Sequence, residues 1–376
     1  MRIGIVCYPT FGGSGVVATE LGLEMAALGH SVHFISYSQP VRLDLYAPNI
    51  YYHEVVVTDY PLFDYSPYEL VLTSKLVSVV KNENLDILHV HYAIPHASAA
   101  FMAKKILQSE GIEIPIVCTL HGTDITLVGK DASFEPVITF AINESDAVTA
   151  VSQSLKDDTL KFFNINRNID VIPNFINLDR YKDLKPNGLR DRFSPDGDPL
   201  IMHVSNFRKV KRVDDVVRVF IGIRSKIKSK LLLIGDGPER YNVEQMCREL
   251  GFCNDIHFLG KSKNVERFLA NGDLFILPSE TESFGLAALE AMAAGMPVIS
   301  TNTGGLAEVN AHGFSGFLSD VGDIEDMSRN ALRILSTPSS LEHYKANARI
   351  QAAKFDLPMI LPLYIKLYQD LVLPLV

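Results

Sequence analysis

Two glutamates with a Phe-Gly pair between them are the strongest candidate functional feature of the sequence. Glu282 and Glu290 flank seven residues and follow an apolar run that ends at Leu277. Carboxylates accept hydrogen bonds from sugar hydroxyls, and the free N–H groups of Gly285 and Leu286, at the start of a predicted helix, can bind a phosphate oxygen. Glutamates near helix starts are also common for electrostatic reasons alone. The Phe-Gly pair and the position after a strand favour a site for both ends of a nucleotide sugar.

A basic turn follows another apolar run, which ends at Ser205. A fixed cation there could neutralise charge on a departing diphosphate. A solvated turn is the alternative, because most charged runs face water. The glycines of the later Gly235-Asp236-Gly237-Pro238 turn would let a ligand approach the backbone. The residues of the basic turn are Asn206, Phe207, Arg208, Lys209, Lys211 and Arg212.

The glycine-rich turn Gly12-Gly13-Ser14-Gly15 connects the first apolar run to a predicted helix. Several backbone N–H groups would point at a ligand above this turn, an arrangement that favours anions. The spacing is not that of the dinucleotide fingerprint G-x-G-x-x-G, and the second strand ends in Ser36-Tyr37, where a ribose-binding acid would be expected. The sequence therefore argues against an NAD enzyme. A tight turn that needs small residues is the other interpretation.

Histidines follow or lie within two predicted strands. His121, in the string His-Gly-Thr-Asp, comes directly after a strand that ends at Leu120, so we expect it at the carboxyl end of the first sheet. His89 and His91 are expected to point to opposite faces of their strand, which would exclude a shared metal site. We interpret His89 as structural and leave the role of His91 open.

The elements that position these residues follow a strand–helix alternation. Apolar runs of about five residues alternate with helix-period stretches, which predicts parallel sheets covered on both faces. The fold class is therefore α/β, with two Rossmann-like doubly wound domains and a ligand in the cleft between them. The predicted strands lie near 3–7, 31–36, 87–91, 114–120, 147–150 and 170–172 in the first half, and near 200–205, 230–234, 256–259, 274–277 and 298–300 in the second.

Domain boundaries are predicted from length and composition. A chain of 376 residues exceeds what one core usually supports. The polar stretch 177–199, with three prolines and two glycines, has the composition of a linker. We expect a first domain over 1–176 and a second over 177–354, with a C-terminal helix over 355–376 returning to the first.

Charge and composition exclude several classes of protein. The net charge of -9 argues against nucleic acid or an anionic membrane as the main partner. The N-terminus lacks the features of a signal peptide, and no run is long and apolar enough to span a bilayer. The four cysteines have no metal-ligand spacing and indicate free thiols in the cytoplasm. The string Asp196-Gly197-Asp198 is interpreted as a turn, so no metal is expected.

Taken together, these motifs resemble the GT-B retaining glycosyltransferases of family 4 over essentially the entire chain. The resemblance implies that Glu290 holds the ribose hydroxyls, that His121 and Glu282 contact the transferred sugar, and that Lys211 binds the diphosphate. Many members of the family have Arg where this chain has Asn206, and Arg208 or Lys209 would replace its charge. The matching elements are the GGSG turn, His121-Gly122, Asn174 in IPNFIN, the basic turn ending at Lys211, GDGPE and the segment 282–290.

The site residues implied by the resemblance fall into three groups. Catalytic roles are expected for His121, Lys211 and Glu282. Donor binding is expected for Gly13, Gly15, Asn206, Arg208, Lys211, Ser283, Phe284, Gly285, Leu286 and Glu290. Hydrogen bonds to the acceptor are expected from Ser14, Tyr92, Thr123 and Asn174, which lie near predicted strand ends.

Four segments resemble more narrowly the branch of the family that moves N-acetylglucosamine from UDP-GlcNAc to L-malate, at the first step of bacillithiol biosynthesis. The expected partners are therefore UDP-GlcNAc and L-malate, with no cofactor, no nucleic acid, no stable membrane association and a possible homodimer. A lipid, sugar or inositol phosphate acceptor, a nucleotide-sugar epimerase and a non-catalytic nucleotide-sugar sensor are the alternatives. The four segments are VCYPTFGGSGVVATELG, DILHVHYAIPHA, TLHGTDIT and HVSNFRKVKRV.

Overall fold

The chain folds into two compact units, each built on a parallel sheet. The computed structural model describes residues 1–10, 13–57, 65–127, 129, 131–182, 184 and 188–372, so Gly12 of the glycine-rich turn lies outside the described residues. The first unit comprises Met1–Asn174 and Ile360–Val376, and the second comprises Phe175–Met359. The sequence analysis placed these two breaks at 176/177 and 354/355.

The first unit has seven parallel strands in the order β3-β2-β1-β4-β5-β6-β7. The order reverses direction beside β1, which is the doubly wound arrangement expected from the strand–helix alternation. The strands are β1 Arg2–Val6, β2 Ser31–Ser36, β3 Ile50–Glu54, β4 Ile87–His91, β5 Ile116–Leu120, β6 Ala147–Ala150 and β7 Ile169–Val171. The helices are α1 Ser14–Ala27, α2 Tyr68–Glu83, α3 Ser98–Ser109, α4 Glu135–Asn143 and α5 Gln153–Phe162.

The second unit has six parallel strands in the order β10-β9-β8-β11-β12-β13. Val216, Phe220, Leu231 and Ile276 are among the fully buried residues of its core, where α8 and α13 pack on the sheet. The strands are β8 Leu200–Ser205, β9 Lys230–Gly235, β10 Ile256–Gly260, β11 Leu274–Leu277, β12 Val298–Thr301 and β13 Gly316–Ser319. The helices are α6 Asp179–Lys182, α7 Leu189–Phe193, α8 Val213–Arg224, α9 Arg240–Glu249, α10 Val265–Leu269, α11 Leu286–Ala293, α12 Leu306–Val309, α13 Ile324–Ile334 and α14 Pro338–Ala353. The last helix, α15 Leu357–Val372, begins in this unit and continues in the first.

Two strands were missed by the sequence analysis, and both lie at sheet edges. β3 has the sequence IYYHE and only its Ile50 is buried, because an edge strand of this sheet packs less of its surface. β13 has four residues and begins with a glycine. Neither has the continuous apolar run by which the central strands were recognised.

The stretch predicted as a linker belongs structurally to the second unit. Arg190 of α7 donates to the carboxylate of Asp273 at 2.8 Å and to the backbone carbonyl of Asn271 at 3.0 Å. The buried Asp273 carboxylate also accepts the backbone N–H of Leu200 at 2.9 Å, at the start of β8. The Asp273 carboxylate therefore binds both the segment before β8 and the start of β8 itself.

The C-terminal helix α15 passes from the second unit into the first. Its Tyr364 and Tyr368 are fully buried, and the Tyr368 hydroxyl lies 2.6 Å from Nδ1 of His89 on β4. Exposed positions such as Met359 and Leu363 alternate with these, so one face of the helix packs and the other is solvated. None of the described helices is both long and apolar enough to cross a membrane.

We predict that Tyr368→Phe destabilises the protein by about 1–3 kcal/mol, because it leaves Nδ1 of the buried His89 without its partner. Chemical unfolding at neutral pH measures this change. The matched control is Tyr241→Phe, which removes a hydroxyl from a tyrosine that is 67% exposed. An equal effect of both substitutions would show that the His89 hydrogen bond adds nothing.

Candidate active site

The loop between β11 and α11 carries the two glutamates and is shaped by Gly285. This glycine precedes α11 with φ 97°, and a Cβ built on it would lie 2.5 Å from the Leu306 side chain. A non-glycine residue would therefore meet both backbone strain and a steric clash. The first N–H groups of α11, from Leu286 onward, have no acceptor within their own helix. They are suited to bind an anion, as the sequence predicts.

Lys211 and Glu282 form the ion pair at the centre of the second unit's candidate residues. Nζ of Lys211 lies 2.5 Å from Oε2 of Glu282, and both side chains are mostly buried. The two residues meet because β8 and β11 are neighbours, so the loops that follow them start side by side. The backbone N–H of Glu280 donates to the carbonyl of Val210 at 2.8 Å and joins the two loops directly.

A second contact holds the Glu282 loop from the opposite side. The backbone N–H of Gly305 donates to the carbonyl of Glu282 at 2.9 Å. A Cβ on Gly304 would lie 2.0 Å from that carbonyl oxygen, so only glycine allows the approach. The Thr301 hydroxyl at the end of β12 donates to the carbonyl of Ser279 at 2.6 Å. The Glu282 backbone is thus held by loops from both neighbouring strands.

The other predicted donor-binding residues of this unit differ in what they can offer. The Phe284 ring is buried and packs edge-on against Phe355 with 5.6 Å between ring centroids, so only its backbone could meet a ligand. Ser283, Leu286 and Glu290 are partly exposed on the same segment.

In the basic turn, Asn206, Arg208 and Lys209 are exposed. Arg212 pairs with Asp215 at 2.5 Å. Lys211 is therefore the residue of this turn that the fold directs to Glu282.

The glycines of the 235–238 turn have a structural reason that the sequence analysis did not foresee. A Cβ on Gly235 would lie 1.8 Å from the carbonyl oxygen of Ser205, and one on Gly237 would lie 2.0 Å from that of Asn206. The neighbouring protein backbone, rather than a ligand, makes the close approach. The turn supports the basic segment, since the backbone N–H of Glu239 also donates to the carbonyl of Phe207 at 2.9 Å.

In the first unit, the start of α1 lies against the end of β4. The Ser14 hydroxyl is 2.7 Å from the Tyr92 hydroxyl. Gly15 packs so tightly that a Cβ would lie 2.4 Å from the carbonyl oxygen of Tyr8, whereas Gly13 has open space at its Cβ position and φ 63°. Gly13 thus allows the sharp turn, and Gly15 allows the contact with the end of β1.

The expectation that His89 and His91 face opposite sides of β4 is wrong. Side chains alternate along a strand with a period of two, so residues two apart share a face. The two rings accordingly stack with centroids 4.4 Å apart. Nδ1 of His91 lies 2.8 Å from Nε2 of His121 on the next strand's loop. His91 therefore orients His121, and His89 is structural, through Tyr368 and Thr119.

Burial and hydrogen bonding together decide which nitrogens carry the protons. Burial lowers the pKa of His121 to about 3 and that of His91 well below its usual value, so both rings are neutral at pH 7. Among the described residues, no hydrogen-bond partner reaches the buried Nε2 of His91. A buried nitrogen without a hydrogen-bond partner costs less free energy as an acceptor than as an N–H donor. Nε2 of His91 is therefore the unprotonated nitrogen in the favoured tautomer, and Nδ1–H of His91 donates to Nε2 of His121. The proton of His121 then lies on Nδ1 and is available as a donor.

Asp124 is a buried polar residue to which the sequence analysis gave no role. Its carboxylate accepts the backbone N–H of Ala93 at 2.8 Å and that of Gly122 at 3.1 Å. Burial raises its pKa to about 6, although these hydrogen bonds oppose the rise. Asp124 thereby joins the loop after β4, which carries Tyr92, to the loop that carries His121. Its place two residues after a glycine at a strand end was the available signal.

The predicted first-unit residues are brought together except for Asn174. Ser14 and Tyr92 are hydrogen-bonded, the rings of Tyr92 and His121 lie 5.1 Å apart, and a hydrogen bond with Thr123 acts on the pKa of Tyr92. Asn174 is buried after β7, beyond β6. Its side-chain carbonyl has no hydrogen-bond partner among the described residues.

Two doubly wound sheets with polar loops at the carboxyl ends of their strands define the class of protein. Profiles described as "Glycosyltransferase Family 4" and "Glycosyl transferases group 1" match residues 11–180 and 187–351. The fold is that of a glycosyltransferase from Rickettsia africae, with a TM-score of 0.81 at 21% identity over 100% of this chain and 99% of that one. A UDP and glucose complex of Anabaena HepE gives a TM-score of 0.82 at 19% identity over 98% and 100%. The chain therefore has the GT-B fold.

A curated relative gives the narrower relationship. The chain is 48% identical to the N-acetyl-alpha-D-glucosaminyl L-malate synthase of Bacillus anthracis, over 89% of this chain and 87% of that protein. At such identity and coverage, the chain belongs to the family 4 glycosyltransferases and is an enzyme of that family.

We predict that the protein loses stability as the pH falls below about 6.5. Burial lowers the pKa of His89 and His121 to about 3 and that of His96 and His203 to about 4. Above the unfolded pKa of about 6.5, these histidines are neutral in both states and do not reduce the free energy of unfolding. As the pH falls from about 6.5 toward the folded pKa, each lowers the free energy of unfolding by up to about 1.4 kcal/mol per pH unit. Asp124 acts in the opposite sense, since its raised pKa adds stability at acidic pH.

Urea unfolding at several pH values between 5 and 8 measures this loss. The four histidines outweigh the single aspartate, so the free energy of unfolding should fall steadily from pH 6.5 to pH 5. A free energy that stays constant or rises over that interval would mean that these histidines are not held neutral.

Proposed function

We propose that the chain transfers N-acetylglucosamine from UDP-GlcNAc to the hydroxyl of L-malate, giving GlcNAc-malate and UDP. The observation that carries the proposal is the 48% identity, over 89% of the chain, to a protein with that activity in its name. The likeness includes both units, because the match extends over 336 residues.

The second unit has the groups that a nucleotide-sugar diphosphate requires. We assign Lys211 to the diphosphate, Glu282 to hydroxyls of the transferred sugar and Glu290 to the ribose. The contact between Lys211 and Glu282, at 2.5 Å, supports adjacent roles at the sugar–phosphate bond. The first N–H groups of α11 would supply further donors to phosphate oxygens.

The first unit offers neutral hydrogen-bond donors suited to a small dicarboxylate. Burial raises the pKa of Tyr92 to about 12, so its hydroxyl stays protonated at neutral pH and can donate to a carboxylate. Ser14 and Thr123 lie beside it, and Asn174 is the fourth residue assigned to the acceptor. His121, held by His91, would donate from Nδ1 to the sugar or the acceptor.

The proposed reaction retains the configuration at the anomeric carbon. The malate hydroxyl oxygen forms a bond to that carbon from the face on which the bond to the UDP phosphate oxygen breaks. The proton of the malate hydroxyl passes to a phosphate oxygen, and UDP leaves with it. The residues position both substrates, and Lys211 stabilises the charge that develops on the diphosphate.

We further propose that no metal ion takes part in the transfer. The string Asp196-Gly197-Asp198 is the one DxD in the sequence, and Lys228 lies 2.8 Å from the first carboxylate and 3.3 Å from the second. Gly197 has φ 79°, as turn formation requires. These contacts support the interpretation of this string as a turn.

The proposed setting is the cytoplasm, where thiols such as the buried Cys7 and Cys118 stay reduced. The possible homodimer stays a prediction.

We predict that Lys211→Ala lowers kcat by about 10²–10³, the scale of one lost transition-state donor. The substitution also leaves the mostly buried Glu282 carboxylate without its cation next to the donor's phosphates. Initial rates of UDP release at saturating substrates measure the effect, with the exposed Lys226→Ala as matched control. Normal turnover by the Lys211 variant would remove this residue from the mechanism.

The decisive experiment measures UDP release from UDP-GlcNAc by the purified protein in EDTA, with and without L-malate. We expect release that depends on malate, a product with the mass of GlcNAc-malate, and no effect of the chelator. Release without malate would indicate hydrolysis or an unintended acceptor. No release with malate, while other family 4 acceptors support it, would overturn the malate assignment. Activity that disappears in EDTA and returns with Mg²⁺ would overturn metal independence.

A further inference from the structure

Two histidines and a glutamate meet at the edge of the first unit's sheet, where the proposed reaction uses none of them. His33 lies on β2, His53 on β3, and Glu83 is the last residue of α2. Each offers one ligand atom, and these atoms all lie within 4.8 Å of one another. We propose that they bind a divalent transition-metal ion, with Zn²⁺ as the best fit to two imidazoles and one carboxylate.

The strand pairing explains why the two histidines meet. β2 and β3 are parallel, with His33 opposite Tyr51 and Ile35 opposite His53. Because alternate residues share a face, His33 and His53 lie on the same face of adjacent strands, one step apart along the diagonal. Nδ1 of His33 lies 3.0 Å from Nε2 of His53. The pair is thus set by backbone register.

The spacing of the two ring nitrogens suits a metal ion. A neutral imidazole has one ring nitrogen with an in-plane lone pair that can bind a metal ion. The proton now shared between the two rings can move to the outer nitrogen of His53 when an ion enters. Tetrahedral Zn²⁺ with Zn–N bonds of about 2.0–2.1 Å would hold the two nitrogens about 3.3 Å apart. A separation of about 0.3 Å beyond the present distance suffices, a small side-chain rotation.

The second ring nitrogen of His33 supports the same conclusion. Nε2 lies 3.2 Å from the hydroxyl of Ser31, and the Tyr51 ring stacks on the imidazole with centroids 4.6 Å apart and planes 13° apart. Metal-binding histidines commonly donate their other N–H to an oxygen, which fixes the tautomer and the ring orientation. Nδ1 of His33 is therefore already oriented toward His53.

Charge and access also permit an ion at this place. Glu83 supplies a negative charge that favours a cation, and the charges of Arg2, near His33, and Lys75, near His53, act against it. His33 is buried, but His53 and Glu83 are partly exposed, so an ion can enter from solvent. Water would complete the four-coordinate set.

The site is separate from the residues proposed for sugar transfer. β1 and β4 lie between β2, which carries His33, and β5, which His121 follows. Strands about 4.8 Å apart place β2 and β5 about 14 Å from each other. The ion would join the edge strand β3 to β2 and α2, and its expected effect is on stability rather than turnover.

The test uses the full-length, tag-free chain in a Cys253→Ser background, because the exposed Cys253 thiol could also bind zinc. The protein is stripped with EDTA, desalted and titrated with Zn²⁺ by calorimetry, and the melting temperature is recorded with and without the ion. We expect one Zn²⁺ per chain and a higher melting temperature. His53→Ala and Glu83→Gln should each weaken binding at least about tenfold, because even the loss of an outer-shell partner of a metal ligand costs about that much. The control His343→Ala, at an exposed histidine of the second unit, should leave binding unchanged.

Two results would overturn the proposal. One is the absence of saturable binding at micromolar Zn²⁺, and the other is unchanged affinity in both ligand variants. Circular dichroism checks that each variant is folded, and Glu83→Gln at a partly exposed position decides the matter if His53→Ala unfolds. Co²⁺ in place of Zn²⁺ should give the visible spectrum of a four-coordinate ion without thiolate absorption.

Discussion

Parallel pairing of every strand is the constraint on which both candidate half-sites depend. Parallel strands end at a common edge, so the loops that follow them begin side by side even when they are far apart in sequence. This pairing brings Lys211 to Glu282 across β8 and β11, and His91 to His121 across β4 and β5. The glycines at 235, 237, 304 and 305 then let neighbouring loops approach at backbone distance. The chemistry is thus positioned by backbone contacts more than by side-chain packing.

The second feature of the structure is the burial of neutral titratable side chains, which occurs chiefly in the first unit. His89, His91 and His121 form a hydrogen-bonded and stacked row that ends on Tyr368 of α15. Neutral rings can be buried in this way because each finds most of its partners within the row. The same burial that lowers their pKa values raises that of Asp124. Asp124 also joins the loop after β4, which carries Tyr92, to the loop after β5, which carries Thr123.

The sequence predicted the central strands and their loops well, but it predicted the edge strands and the contacts between neighbouring loops poorly. Continuous apolar runs identified the buried strands, and polar residues directly after them, such as His121 and Glu282, identified the loops. The edge strands β3 and β13 lack such runs, since an edge packs on fewer sides. Pairing of Lys211 with Glu282 depends on which strands are neighbours, which spacing along the chain does not reveal. His89 and His91 were assigned to opposite faces because the two-residue period of a strand was misapplied. The role of Asp124 depends on its burial, which composition alone does not show.

Under the proposed function, the two units differ in the kind of chemistry they supply. The second unit offers a cation, carboxylates and the first N–H groups of α11, which have no acceptor within that helix, and these groups suit a charged diphosphate and a polyhydroxylated sugar. The first unit offers hydroxyls and a neutral imidazole, and a tyrosine whose pKa of about 12 keeps its proton beside an anionic acceptor. A different donor would therefore require changes around Lys211, Glu282 and Glu290. A different acceptor would require changes around Ser14, Tyr92 and Thr123, which α1 and the loops after β4 and β5 carry. The two sets of residues lie on loops that follow the strands of two different sheets.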